Sequence, residues 1–210
     1  MKKLIIATIV VLAAIACSEN DNTEAEFENW QSRNELWFKA KSDSVAALIA
    51  QGRTDWRTYR SWKYSDTYQT TDITKSILVQ VLKEGSGSGC PLYTDSIRMH
   101  YQMRLIPSNS YPSGYVFDQS YYGTYSPETS VPKSFVVSGL IDGVATALQH
   151  MHIGDHWLVY VPYPLGYGES STSSVPAYST LICDLTLAAY SRAGEDLPDW
   201  SAREGGWWGE

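Results

Sequence analysis

Hydrophobic and polar positions divide the chain into stretches with different periods. Residues 4–15 form an unbroken apolar run behind the basic start Met1-Lys2-Lys3, and residues 18–26 are polar and acidic. From residue 27 to 49 the apolar positions Phe27, Trp30, Leu36, Trp37, Ala40, Val45, Ala46, Leu48 and Ile49 recur at three- and four-residue steps without Pro or Gly. That spacing predicts helix, with Gly52 as a stop and Ser42 or Asp43 as a cap for a second short helix. Residues 56–74 are aromatic and polar with little periodicity, so 27–75 is read as a helical amino-terminal extension.

Beyond residue 75 the pattern turns to strands. Residues 77–82 are apolar, and a Gly/Ser turn follows at 84–89. Ile97, Met99, Tyr101, Met103 and Leu105 alternate at period two, which predicts a half-buried strand. A loop at 107–114 leads to a short strand at 115–118. Residues 140–152 read as the helix of this region, ended by Gly154. Strands are predicted at 157–161 and 179–189, separated by a Pro/Gly/Ser-rich loop at 162–177. One helix among antiparallel-type strands implies an α+β fold, the helix lying on a twisted sheet. The tail, 191–210, carries Trp200, Trp207 and Trp208 without a clear pattern.

Composition narrows the function. Among 210 residues the net charge is -7, and the scattered Lys and Arg leave no basic patch for nucleic acid. Tyr (15) and Trp (8) far outnumber Phe (4), which suits half-wet grooves and interfaces as well as cores. The basic start, a short apolar run and Ala14-Ile15-Ala16-Cys17 read as a lipoprotein signal peptide over 1–16, with Ala14 where a Leu is usual. Cleavage would leave Cys17 as the lipidation site, the membrane held through that anchor, and 17–26 as a flexible tether; an ordinary signal peptide would leave Cys17 free. No nucleophile elbow, phosphate loop or zinc-protease pair is present. His150, His152 and His156 are split by Gly154 and are read as turn residues rather than metal ligands. No cofactor is expected. Cys90 and Cys183 could pair only if their backbones approach, which the sequence leaves open.

The remaining motifs run in order: Met99-His100-Tyr101, Phe117-Asp118-Gln119-Ser120, Phe135-Val136-Val137, Leu140-Ile141-Asp142-Gly143, Gln149-His150-Met151, Leu165-Gly166-Tyr167-Gly168, Val175-Pro176, and a last strand through Cys183. This succession resembles the FKBP-type peptidyl-prolyl cis–trans isomerase family over residues 76–190. The resemblance implies an antiparallel sheet wrapped around a short helix, with a pocket for proline-containing peptides or unfolded proteins. Tyr101, Phe117, Asp118, Ile141 and Tyr167 match its catalytic positions. Leu140, Val144, Val175 and Cys183 match its pocket lining. The implied roles are a wall of Tyr101 and Phe117, the Asp118 carboxylate, and substrate hydrogen bonds from the Ile141 amide and the Tyr167 hydroxyl.

The chain departs from the family at several points. Val144 stands for a Trp at the pocket floor, Cys183 for an aromatic and Lys133 for another. The loop between Tyr101 and Phe117 is longer than usual and carries Tyr111, Pro112 and Tyr115; that between Tyr167 and Val175 is slightly short. The expected function is a lipid-anchored, extracytoplasmic isomerase that assists protein folding, with a non-catalytic client-binding protein as the alternative. The helix from Phe27 either packs on its own domain or forms a homodimer.

Overall fold

A computed structural model describes residues 26–199 apart from 66, 69, 127, 128 and 198. The leader, Cys17, the tether up to residue 25 and the tail tryptophans lie outside the described residues.

The core element is an antiparallel sheet of seven strands: β1 (Trp56–Arg60), β2 (Ser76–Lys83), β3 (Ser96–Leu105), β4 (Val116–Gln119), β5 (Lys133–Val136), β6 (His156–Val161) and β7 (Leu181–Ser191). Their order is β1-β2-β6-β7-β3-β4, and β5 pairs with the other end of the free edge of β3. Among the described residues two α-helices accompany them, α1 (Trp30–Ala50) and α2 (Asp142–Leu148). The α+β expectation therefore stands as the observed fold.

Each face of the sheet is covered by a helix. The alternation of β3 sends Ile97, Met99, Tyr101 and Met103 to one face, where they join Trp157, Val159, Leu185 and the buried side of α2. Gly143 lets α2 lie flush on β6, since a Cβ there would sit 2.3 Å from Val161 Cγ1. The opposite face carries Leu78, Tyr160 and Ile182, which pack under Phe38 and Val45 of α1.

Three expectations for the amino-terminal region are corrected. The helix is continuous from Trp30 to Ala50; Asp43 bonds Lys39 at 2.6 Å across one turn instead of capping a second helix. Its buried stripe is Trp30, Asn34, Phe38 and Val45, whereas Leu36 is 70% exposed and Ala40, Ala46 and Ile49 also face outward. Residues 56–60, assigned to a helical extension, form strand β1, paired with β2 from Trp56↔Gln80 to Arg60↔Ser76. The strand escapes period-two detection because both its faces are covered by aromatic contacts. Trp56 stacks on Tyr160 beneath α1 (6.1 Å), and Tyr59 stacks on His150 (4.1 Å) and Trp157 (5.8 Å) beside α2. The sheet thus begins before residue 76.

The helix predicted at 140–152 is shorter than expected. Gln149 to Gly154 form a turn locked by buried Asp155, which accepts the Gly85 N–H and the His152 N–H at 2.7 Å each.

Candidate functional site

The site is built where β3 and β4 meet the start of α2 and the loop after β6. Tyr101, in the middle of β3, is 3% exposed. Its hydroxyl donates to Asp118 Oδ2 on neighbouring β4 at 3.1 Å. Lys133, at the start of β5, donates to the Tyr101 hydroxyl and to the Gln119 carbonyl, both at 3.0 Å, and its ammonium stands 3.7 Å from Asp118 Oδ1. The result is a directed chain, Lys133 to Tyr101 to Asp118. Burial pushes the Tyr101 phenol up and the Lys133 hydrogen bond partly offsets it. The same bond raises the Lys133 ammonium, so the cation stays charged at neutral pH.

Around this chain stand the apolar groups. The Phe135 ring meets the Tyr101 ring edge-on at 5.7 Å, and Phe117 meets Tyr167 edge-on at 6.3 Å. Tyr101, Val144, Val175 and Cys183 are buried in the main core, against which Phe117, Leu140 and Ile141 pack half-buried. Tyr167 is 37% exposed, and its hydroxyl has no hydrogen-bond partner among the described residues. Burial raises its phenol, with Cys183, Asp118 and Tyr101 adding to the effect, which puts Tyr167 in the same electrostatic neighbourhood. Ile141 sits at the amino end of α2, and its N–H is likewise unpaired among the described residues. The structure therefore gathers Tyr101, Phe117, Asp118 and Tyr167 around one patch, and places Leu140, Ile141, Val144, Val175 and Cys183 in the apolar cluster behind it.

The substituted positions have physical roles. Val144 is wholly buried on α2. Cys183 lies opposite Met103 and Val159 on the flanking strands, and burial pushes its thiol up to about 12, which makes it an apolar filler and not a nucleophile. Cys90 and Cys183 are both free thiols. The three clustered histidines diverge: His150 stacks on Tyr59, His152 lies by Asp155, and His156 bonds Asp184 at 2.6 Å.

Two features were missed in the sequence. One is the ion-pair role of Lys133, which period-two spacing with Phe135 could have shown, since both then face Tyr101. The other is the link between α1 and the loop before β7. Trp30 Nε1 donates to Ser179 Oγ (2.8 Å), Ser179 Oγ to the Pro176 carbonyl (2.6 Å), and Asn34 Oδ1 accepts the Thr180 N–H (2.7 Å). Trp30, Asn34, Ser179 and Thr180 are all buried, so these bonds are dry and fix the segment that carries Val175. No local pattern signals a contact across so long a separation in sequence.

This fold, with an aromatic patch of this kind at the foot of a short buried helix, defines a class. The FKBP-type peptidyl-prolyl cis–trans isomerase family model matches residues 90–188. The chain is 35% identical over 109 residues to a 22 kDa FKBP-type peptidyl-prolyl cis–trans isomerase of Escherichia coli, covering 51% of this chain and 47% of that protein. It is 32% identical over 124 residues to the macrophage infectivity potentiator of Trypanosoma cruzi, covering 59% and 57% respectively. In fold it is similar to the crystal structure of FkpA from Escherichia coli, with a TM-score of 0.57 at 24% identity over 81% of this chain and 65% of that one. Over residues 90–188 the chain is thus similar to the FKBP-type peptidyl-prolyl cis–trans isomerase family, in sequence and in fold. It spans about half the length of the curated relatives it matches.

Proposed function

We propose that the domain catalyses cis–trans exchange of Xaa-Pro bonds in extracytoplasmic proteins, from a lipid anchor at Cys17. The observation that carries the reading is the patch itself. Aromatic and aliphatic walls surround one oriented carboxylate, while two donors, the Ile141 N–H and the Tyr167 hydroxyl, are left unpaired among the described residues.

The reaction needs no nucleophile. Rotation about the peptide bond breaks amide resonance, against a barrier of roughly 18–20 kcal/mol. At the twisted state the carbonyl and nitrogen are less polar than in the planar amide. A pocket that excludes water therefore favours the twisted state over the planar one. In this reading the prolyl ring lies against Phe117 and Tyr101 above Val144, Leu140 and Val175, with Cys183 behind. The Ile141 N–H and the Tyr167 hydroxyl hold backbone carbonyls of the peptide, so that the bond turns on a fixed frame. Asp118, oriented by Tyr101 and Lys133, faces the twisting amide. Each 1.36 kcal/mol of preference for the twisted state gives about tenfold in rate.

The amino-terminal motif supports anchoring at Cys17, and among the described residues no helix is long and apolar enough to cross a membrane. The test is a protease-free isomerisation assay on the mature chain, run beside Tyr167→Ala and Asp118→Ala. Acceleration that falls in both variants is expected. A folded protein that leaves the exchange rate of a proline tetrapeptide unchanged would sink the reading and leave a client-binding protein on an isomerase scaffold. Radiolabelled palmitate incorporated into the wild type and not into Cys17→Ala checks the anchor.

A further inference from the structure

A second cleft lies beside the aromatic patch, between the long 107–114 loop and the 169–176 loop. Its volume is about 420 Å³, and Phe27, Tyr111, Tyr115, Val175 and Glu26 are among its lining residues. Val175 is buried in the core cluster and also lines this cleft, so the two sites share a wall.

Gly114 closes the long loop at φ +87°, where a Cβ would meet the Leu105 carbonyl oxygen at 2.1 Å. That turn sets Tyr111 and Tyr115 edge to face at 5.0 Å. The residues leading into α1 form the other end: Phe27 packs edge-on against Trp30 at 5.0 Å, and Glu26 Oε2 accepts the Ser110 hydroxyl at 2.6 Å. The opposite wall is closed by the Thr172 N–H on the Val175 carbonyl (2.8 Å) and held to α1 through Ser179.

Among the described residues Glu26 is the single charged side chain in the lining. Its Oε1 is enclosed and makes no hydrogen bond of good geometry among the described residues. The neighbouring Ser108 and Ser110 hydroxyls hold the carboxyl below its ordinary range, so it is an anion at neutral pH. Arg33 is a neighbouring cation; its guanidinium is turned onto the Glu26 and Glu28 carbonyls and over the Trp30 ring, outside the lining. A carboxylate among aromatic rings suits a cation with an apolar stem, because the stem covers the rings while the charge meets the anion. The chain's own tether is a poor occupant, since Glu19, Asp21 and Glu24 would bring like charge to Glu26.

We propose that this cleft is an accessory peptide subsite that takes a lysine or arginine side chain flanking the proline of a bound client. The proposal rests on the isomerase reading above. It is tested with the mature chain and fluorescent hexapeptides carrying Lys, norleucine or Glu on the amino-terminal or the carboxyl-terminal side of one proline. Both Kd by anisotropy and the isomerisation rate are measured. On at least one side, Lys is expected to bind about fivefold more tightly than norleucine and Glu more weakly still. The Lys-to-norleucine ratio should approach one in Glu26→Gln and shrink with salt in the wild type. Equal Kd for Lys and norleucine on both sides, with isomerisation intact, overturns the subsite alone, as does a preference that Glu26→Gln leaves in place. If no peptide is isomerised the isomerase reading fails, and the Kd ratios still decide the subsite.

Discussion

His100 makes the stability of this domain sensitive to mild acid. It lies on β3 opposite Thr186, is 2% exposed, and its Nδ1 has no hydrogen-bond partner among the described residues. The Tyr125 ring stands 5.0 Å away. Burial pushes the imidazole down to about 4. The unfolded chain, with an ordinary His near 6.5, binds more protons than the folded one between these two values. Stability is therefore full above about pH 6.5 and is lost as pH falls toward 4. The span corresponds to roughly 3 kcal/mol in all, of which about 2 kcal/mol is gone at pH 5. His150, also lowered by burial, acts in the same direction, so the wild-type slope alone does not isolate His100. Urea unfolding at pH 7 and pH 5 should be compared between wild type, His100→Leu and His100→Gln. The wild type should lose about 2 kcal/mol more than either variant over this interval. In NMR the His100 ring should not titrate above pH 5. Equal losses in wild type and both variants, or a ring that titrates near 6.5, would refute the argument.

Other consequences are as direct. Lys133→Met should move ionisation of the Tyr101 phenol to higher pH, and Asp118→Asn should move it lower, because the ammonium and the carboxylate act on it with opposite sign; tyrosine NMR titrations that shift the same way in both would contradict the directed chain. Gly143→Ala should destabilise by about 1–3 kcal/mol despite the better helix former, since the added methyl meets the stiff Val161 side chain. Val161→Ala placed in the same chain should recover most of that loss in thermal unfolding. Asn34→Leu should cost about 2 kcal/mol in urea unfolding by orphaning the buried Thr180 N–H, and Trp30→Phe about 1 kcal/mol, because Ser179 keeps its bond to the Pro176 carbonyl.

The elements with a regular apolar pattern, alternating or continuous, were legible in the chain itself. β3 alternates apolar side chains along its helix-facing side, so period two marks it; β6 and β7 announce themselves as apolar runs between turn residues. The order of Tyr101, Phe117-Asp118, Leu140-Ile141 and Tyr167 was enough to point to the family resemblance, because a fold that gathers distant residues at one patch leaves them in a fixed sequence order. What the chain alone could not show were contacts that join segments with no common period. β1 carries aromatic contacts on both faces and so has no alternation to read. α1 spreads its apolar residues around its circumference, and only the sheet decides that Asn34 faces inward and Leu36 outward. Lys133 read as a lost aromatic until β5 was paired with β3, where the same side chain orients Tyr101 and Asp118. Such pairings depend on which strand edges meet and which helix covers which face. Those are properties of packing between segments far apart in sequence, and local propensity does not encode them.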